Sequence, residues 1–198
     1  MKTAFLSAYQ KTDVLADFAR ELKKREWSIL ASAGTTKFLA ENGIEATDVA
    51  TIVGPPILGH RVVTLSREIH AGLLARPEDE TELQKLGLRR IDLVYVDLYP
   101  LQEEIAKLGG QSPLGGAEAT EESVIEKTDI GGPALLRSAA KGRRIALSNS
   151  SQFKSALEYI DSGSENKTYL ASLAAEAELV ASKYSGISAE FNRLLTSS

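Results

Sequence analysis

The stretch Trp27-Ser28-Ile29-Leu30-Ala31-Ser32-Ala33-Gly34-Thr35-Thr36 decides the fold, because it carries a short apolar run directly into a loop of small and hydroxyl residues. Apolar runs of this length are typical of buried strands. We expect a helix over residues 37–41 after the loop, with Asn42-Gly43 as its carboxyl-terminal stop. The stretch therefore predicts a strand, a turn and a helix in succession, which is the repeating unit of α/β folds.

The same pattern precedes this stretch. Residues 4–8 form another apolar run, and Thr12 is placed to cap the segment that follows. That segment has apolar side chains at helical spacing, namely Val14, Leu15, Phe18, Ala19 and Leu22.

The pattern also continues downstream. Residues 91–98 give the best candidate for a central strand, and Pro100 ends it. The remaining expected segments are a short helix over 102–108, a Gly-rich loop over 109–116, a helix over 134–141 that starts behind Gly131-Gly132-Pro133, a strand over 144–147 and a helical tail over 168–184. The alternation predicts one domain over residues 1–198, an α/β fold with a central, mostly parallel sheet flanked by helices.

Composition narrows the class of protein. The chain of 198 residues is long enough to bury a sizeable core, and it carries a net charge of -4 without a basic run, which argues against a nucleic-acid partner. The absence of cysteine excludes disulfides, thiolate nucleophiles and cysteine-ligated metals, and it fits a cytoplasmic protein. We expect no signal peptide and no membrane contact, because no apolar run approaches the roughly 20 residues of a membrane span.

The loop Ser32-Ala33-Gly34-Thr35-Thr36 is a candidate phosphate site. Free N–H groups and the helix dipole at a helix start favour an anion, and a glycine lets the backbone approach it. Lys11 follows the first strand and would supply an opposing charge, because the carboxyl ends of parallel strands meet at one edge. The alternative is a plain strand-to-helix turn whose hydroxyls only cap the helix, and the loop alone leaves both interpretations open.

An ordered series of segments carries a resemblance to a known family. The segments are 6–7 with Lys11-Thr12, 32–36, 59–65, 70–74, 91–94 with 98–100, and 128–141. Together they resemble the IMP cyclohydrolase domain of the bifunctional purine-biosynthesis enzyme, and Asp129-Ile130-Gly131-Gly132-Pro133 is the most specific part. The resemblance covers nearly the whole chain.

This resemblance implies a methylglyoxal-synthase-like fold, ring closure of formyl-AICAR ribotide to IMP plus water, and no metal or organic cofactor. In the family, an AICAR formyltransferase domain follows this domain. It has no counterpart in the 198 residues, so formyl transfer from a folate is not expected and a separate formyltransferase would be a partner. A homodimer through this domain would need its own apolar patch.

By resemblance, the catalytic residues are Tyr99, Asp129 and Lys141. Tyr99 would transfer a proton or donate to an oxyanion, and Asp129 and Lys141 would be paired acid/base groups. Lys141 lies twelve residues beyond Asp129, and this spacing does not show whether its helix returns it to the site. The alternatives are a strand-end aromatic for Tyr99, a helix cap for Asp129 and a solvated helix-end lysine for Lys141.

The resemblance also implies a set of nucleotide- and phosphate-binding residues. They are Lys11, Ser32, Ala33, Gly34, Thr35, Thr36, Arg61, Thr64, Ile130, Gly131 and Gly132. For Arg61 and Thr64, the alternative is a surface arginine and a strand threonine. His70 is expected to have a structural role or to contact the residues that bind the nucleotide without touching the nucleotide itself. His60 is expected to be a loop residue.

The chain departs from the family pattern close to the expected nucleotide. Val63 stands where the family has a lysine implicated in catalysis, and Ser66 where it has a histidine. Tyr9-Gln10 replaces Ser-Asp, and Asp97 replaces an asparagine. These changes indicate either a rearranged active site or a site that binds without catalysis.

Three functions follow from these observations. The first is an IMP cyclohydrolase, which Tyr99, Asp129 and Lys141 support. The second is a regulatory module of the same fold that binds a purine ribonucleotide, which Val63 supports. The third, a methylglyoxal-synthase-like phosphate lyase, is disfavoured because residues 129–133 have no counterpart there. Fold alone does not choose among them.

Overall fold

The β-strands of this computed structural model form one sheet, and the structure describes residues 1–59, 61–108 and 119–196. Within those ranges the sheet has five strands in the order β3-β2-β1-β4-β5, and every neighbouring pair is parallel. The strands are β1 (Thr3–Ala8), β2 (Ser28–Ala31), β3 (Thr47–Asp48), β4 (Leu93–Asp97) and β5 (Ile145–Leu147).

Helices connect the strands and cover both faces of the sheet. In the described part of the chain they are α1 (Asp13–Lys24), α2 (Ala33–Glu41), α3 (Ala50–Val53), α4 (Arg67–Leu74), α5 (Glu80–Lys85), α6 (Leu101–Ala106), α7 (Glu121–Lys127), α8 (Gly131–Lys141), α9 (Phe153–Ser162) and α10 (Lys167–Leu195). Thr12 caps α1, as the sequence predicts, by accepting a hydrogen bond from the Leu15 N–H at 3.4 Å.

Alternate side chains of β4 enter two different cores. Leu93 and Tyr95 face a core with α1 and α9, where the Phe18 and Phe153 rings stack at 4.0 Å. Val94 faces the other core, against α4, α8 and the middle of α10. A smaller third core joins α6, α7 and the later part of α10.

The four strands predicted from the sequence are confirmed, each within two residues of its expected bounds. Three helices are longer than expected, namely α2, α8, which begins at Gly131, and α10. α2 begins at Ala33 because Ser32 already has the extended backbone of a helix cap. α10 continues to Leu195, because Tyr184 and Phe191 on it are buried against α6 and α7.

Some expectations were wrong or incomplete. Val14 was expected on the buried face of α1 but is 56% exposed. The sequence analysis did not predict α3, α4, α5 and α7, which are short, or the ten-residue α9. The expected loop over residues 109–116 lies outside the described residues.

The sheet has two edges of different character. We call the edge where β1, β2 and β4 end the carboxyl edge, and the opposite one the amino edge. Because all strands are parallel, the loops after β1, β2 and β4 all emerge at the carboxyl edge.

Candidate functional site

The loop after β2 presents the start of α2 at the carboxyl edge. The first N–H groups of a helix have no partner within the helix. Ser32 does not cap them, since its hydroxyl donates to Thr35 Oγ1 at 3.1 Å instead. Ala33 and Gly34 are exposed. The backbone therefore offers donors to an anion here.

The threonine hydroxyls of this loop have other partners. Thr35 is fully buried, and its Oγ1 accepts a hydrogen bond from the Ala8 N–H at 3.0 Å. The Thr36 hydroxyl donates to the Ser32 carbonyl at 3.2 Å. These side chains fasten the loop to β1 and to itself, so a contribution of Thr35 or Thr36 to a ligand would come from the backbone.

Lys11 lies beside the start of α2, as expected from the parallel strands. Its ammonium donates to the carbonyls of Ala8 at 3.0 Å and Tyr9 at 3.2 Å. Its Cε is 3.4 Å from the point that a Cβ on Gly34 would occupy. The structure thus brings a cation and the N-terminus of α2 together at the carboxyl edge.

Asp97 links the loop after β1 to the end of β4. Its carboxylate accepts hydrogen bonds from the backbone N–H groups of Tyr9 and, at 2.9 Å, of Gln10. Burial raises the Asp97 pKa, and these N–H groups oppose the rise. The Tyr9 ring in turn packs edge-on against Tyr99, with centroids 4.9 Å apart.

Tyr99 joins a buried charge cluster that the sequence reasoning missed. Its hydroxyl donates to Glu104 Oε2 at 2.8 Å, and Glu104 is only 3% exposed. Lys127 Nζ lies 2.6 Å and Lys107 Nζ 3.2 Å from the same carboxylate. The Lys127 ammonium is the main reason that the Glu104 pKa falls to about 2. Burial first, and then Glu104, raise the Tyr99 pKa.

Asp129 lies in the turn that begins α8. Its Oδ1 accepts a hydrogen bond from the Gly132 N–H at 2.9 Å, and its own N–H donates to the Tyr184 hydroxyl at 2.8 Å. Burial raises the Asp129 pKa. The capping role that the sequence left open is therefore present. The sequence carries no local signal for Tyr184, which reaches the turn from α10.

The two glycines of this turn are required by close approach. A Cβ on Gly131 would lie 2.5 Å from Thr64 Oγ1. A Cβ on Gly132 would lie 2.3 Å from Asp129 Oδ2 and 2.5 Å from Leu98 Cδ2. The turn thereby brings Thr64 and the end of β4 against Asp129.

A cavity of about 200 Å³ adjoins the Asp129 turn. Its lining residues are Thr128, Asp129, Ile130, Pro133, Tyr184, Ser185 and Ser188. Ile130 is 63% exposed at this point, so its side chain is available to a ligand.

Lys141 is not brought to the site. α8 leads away from Asp129, and its ten-residue rise from Gly131 is about 15 Å. Gly142 packs against the Leu73 carbonyl, and the Arg144 guanidinium donates to that same oxygen at 2.7 Å. Lys141 therefore lies at the amino edge, and the expected pairing of Asp129 with Lys141 is not formed within the chain.

Arg61 has a carboxylate partner from another element. Its side chain is 61% exposed and forms an ion pair with Glu126 on α7 at 2.7 Å. The structure thus places Arg61 on the α7 side of the site, with its guanidinium held by a carboxylate.

The residues that depart from the family have structural roles. Ser66 caps α4 by accepting a hydrogen bond from the Ile69 N–H at 3.2 Å. Val63 is half-buried against the core of α4 and α8.

The histidine His70 connects two helices. Its Nδ1 lies 2.8 Å from Ser138 Oγ and so joins α4 to α8, which agrees with a structural role, and burial lowers its pKa. His60 lies outside the described residues.

The described ranges contain neither a candidate metal-binding cluster nor a candidate membrane-spanning helix. No group of three or more His, Cys, Asp and Glu side chains there is arranged to hold a metal ion. Over the same residues, every helix is too short or too polar to cross a bilayer.

Comparison with known proteins gives consistent matches. The sequence model of the MGS-like domain matches residues 14–134. Three proteins named "Bifunctional purine biosynthesis protein PurH" are similar: 42% identity over 72% of this chain in Persephonella marina, 39% over 92% in Deinococcus deserti, and 43% over 79% in Trichodesmium erythraeum. The chain spans only 26–34% of the length of these relatives.

A solved structure also matches over most of its length. It is described as "Crystal structure of ForH", with a TM-score of 0.74 and 28% identity. The match covers 96% of this chain and 97% of that one.

Proposed function

Because this chain belongs to the MGS-like domain family and is 39–43% identical to three purine biosynthesis proteins, we propose that it closes the purine ring, converting formyl-AICAR ribotide to IMP and water. The family match and the parallel sheet confirm the fold class expected from the sequence. The observation that carries the proposal is that one edge of the sheet holds both a helix start at α2 that favours an anion and the half-buried carboxyl group of Asp129 before α8.

The start of α2 supports the binding of the ribotide phosphate. Its backbone N–H groups and the Lys11 ammonium both favour an anion there. At an exposed helix start each charge of this kind contributes about 0.3–1 kcal/mol. The phosphate would be held mainly by backbone and Lys11, since Thr35 and Thr36 are otherwise engaged.

The spacing of the strands suits a nucleotide. β2, β1 and β4 are consecutive in the sheet, so the ends of β2 and β4 are about 10 Å apart at the usual strand separation. A ribonucleotide bridges such a distance from its phosphate to its base. With the phosphate at α2, the base would lie beside Tyr99 and Asp129.

The chemistry requires positioning more than a strong catalyst. The carboxamide nitrogen attacks the formyl carbon, and one of its protons is transferred to the formyl oxygen, which gives a carbinolamine. The carbinolamine then loses its hydroxyl together with the proton of the former formamide nitrogen as water, and a C=N bond forms in the ring. Asp129 supports proton transfer, because burial raises its pKa above that of an ordinary aspartate and makes it a stronger base. Tyr99 stays a neutral phenol, because its pKa is raised.

A second candidate function is binding without turnover. Val63 packs into a core and Ser66 caps α4, so neither replaces the lysine and histidine that the resemblance leads one to expect. A purine-ribonucleotide-binding regulatory module of the same fold would retain the α2 site and lose the chemistry.

The proposal extends to partners and location. An AICAR formyltransferase would supply the formylated substrate, as the similarity to bifunctional purine biosynthesis proteins suggests. Cytoplasmic location and a homodimer belong to the same proposal.

An absorbance assay of IMP formation from formyl-AICAR ribotide tests the proposal. We expect turnover above the uncatalysed rate in the wild type and a loss of about 10²-fold in Asp129→Asn, the usual scale for a proton-transfer group. Lys154→Met, at an exposed lysine on α9, is the matched control and should retain wild-type activity. IMP binding by calorimetry without turnover would favour the regulatory module. Absence of both would overturn the nucleotide function.

A further inference from the structure

Glu104 is the only acidic side chain among the buried residues of the described ranges. A buried carboxylate costs more than an apolar residue of the same size unless it is well paired. Four donors surround this one, the hydroxyls of Tyr99 and Ser123 and the ammonium groups of Lys127 and Lys107. The cluster is therefore a fully engaged network on the α6 side of Tyr99, and nothing in the ring-closure scheme above uses it.

The network determines which hydrogen bonds the Tyr99 phenol can make. A phenol has one donor, and Glu104 Oε2 occupies it at 2.8 Å. Lys127 Nζ lies 5.8 Å from the centre of the Tyr99 ring and 2.6 Å from Glu104 Oε1, so it anchors the carboxylate from the other side. Lys127 also donates a hydrogen bond to the phenol oxygen, which leaves that oxygen one acceptor position.

The proton stays on the phenol. The Glu104 pKa is about 2, because of Lys127 above all, whereas the Tyr99 pKa is raised. Transfer of the proton from Tyr99 to Glu104 would thus be strongly uphill. Glu104 orients Tyr99 and does not act as its base.

We propose that Glu104 and Lys127 are positioning residues that hold the Tyr99 phenol as a hydrogen-bond acceptor for the carboxamide N–H of the substrate. This inference rests on the proposed function. It replaces both roles that the resemblance implied for Tyr99, since a phenol whose proton is held by Glu104 neither transfers that proton nor donates it to an oxyanion. Tyr99 would then align the attacking nitrogen, and Asp129 would receive its proton.

The surroundings of Tyr99 predict how its titration responds. The titratable groups around it are Tyr9 from the β1 loop, Glu104 and Lys107 from α6, Lys127 from α7 and Tyr184 from α10, which in turn contacts Asp129. Glu104 raises the Tyr99 pKa and Lys127 lowers it. Neutralising Glu104 should therefore lower the Tyr99 pKa, and neutralising Lys127 should raise it.

The first arm of the test is spectroscopic. Tyrosinate absorbance is titrated in the full chain, and subtraction of a Tyr99→Phe titration isolates the signal of Tyr99. We expect Glu104→Gln to lower the Tyr99 pKa and Lys127→Met to raise it. Glu103→Gln, at an exposed position of α6, is the control and should leave it unchanged. An unmoved Tyr99 pKa in both Glu104→Gln and Lys127→Met would overturn the proposal.

The second arm is a double-mutant cycle on ring closure. We expect Glu104→Gln to lower kcat about tenfold with little change in KM, since a misplaced positioning group slows the step more than it weakens binding. The Tyr99→Phe/Glu104→Gln double variant should be no slower than Tyr99→Phe alone, because coupled residues are not additive. Multiplicative losses would show that Glu104 does not act through Tyr99.

The two proposals fail differently. A wild type that neither turns over formyl-AICAR ribotide nor binds IMP would overturn the proposed function and, with it, the role of Glu104. A wild type that turns over while Glu104→Gln and Lys127→Met keep full kcat would overturn only the inference. If Glu104→Gln does not fold, the kcat and the Tyr99 pKa of Lys127→Met test the inference.

Discussion

At the scale of single residues, the site depends on glycines, whose missing side chains leave room for neighbouring groups. Gly131 and Gly132 let Thr64, Leu98 and Asp129 approach a helix start that any side chain would block. A Cβ on Gly34, by contrast, would only touch Lys11 Cε at 3.4 Å. A Gly-Gly pair before a predicted helix is visible in the sequence, but the side chains it makes room for are distant along the chain.

Gly132→Ala tests this close approach. The new Cβ would meet Asp129 Oδ2 at 2.3 Å and Leu98 Cδ2 at 2.5 Å, so Asp129 must move. Overpacking of this kind costs about 1–3 kcal/mol, and we expect that loss in the free energy of unfolding, together with weaker IMP binding. The measurements are urea denaturation and calorimetry.

Gly186→Ala is the control for this substitution. It lies within α10 with nothing within 4 Å of the added Cβ. Alanine should therefore stabilise the protein by about 0.5–1 kcal/mol without affecting IMP binding. Equal effects of the two substitutions would contradict the steric account of Gly132.

At the scale of elements, α10 supports the Asp129 turn, a role that its helical sequence pattern does not predict. It begins at Lys167, packs across the sheet and continues past α8 to Leu195. Its Tyr184 hydroxyl accepts the Asp129 N–H at 2.8 Å, so the longest described helix supports the turn that carries the expected acid/base residue.

Tyr184→Phe tests the contribution of α10 to the site. It removes the acceptor of the Asp129 N–H while keeping the ring, and an unpaired buried donor costs about 1–3 kcal/mol. We expect faster hydrogen exchange of the Asp129 amide and slower ring closure.

Tyr169→Phe is the matched control on the same helix. Its hydroxyl lies 3.2 Å from Ser155 Oγ, at the end of α10 remote from Asp129. It should leave both exchange at Asp129 and turnover unchanged. If the Asp129 amide of Tyr184→Phe exchanges at the wild-type rate, the turn is stable without the Tyr184 hydroxyl.

At the scale of the whole molecule, the parallel sheet sorts residues between its two edges. The carboxyl edge holds Lys11, Tyr99 and Asp129, and the amino edge holds Lys141 and the buried Arg144. The helix that follows Asp129 has to return to the amino edge before β5 begins, so it carries Lys141 away from the site.

The response of global stability to pH reports on Glu104. Its pKa in the folded protein is about 2, below its ordinary value of 4.5, so the unfolded chain binds more protons between these values. Its contribution to stability is complete above about pH 4.5 and is lost as the pH falls toward 2. We expect the difference in Tm between the wild type and Glu104→Gln to shrink over that range. A constant difference would mean that the Glu104 pKa is not lowered in the folded protein.

The sequence by itself determined the alternation of strands and helices, the parallel sheet and the family, because apolar periodicity and the Asp129-Ile130-Gly131-Gly132-Pro133 segment are local. It also placed Lys11 and Gly34 together, since parallel strands send their loops to one edge. Only the tertiary structure decided that Lys141 lies at the opposite edge and that Glu104, Lys127 and Tyr184 support Tyr99 and Asp129. Those relations join residues across several elements, and no local pattern encodes the direction in which a helix returns or the partner that a buried charge finds.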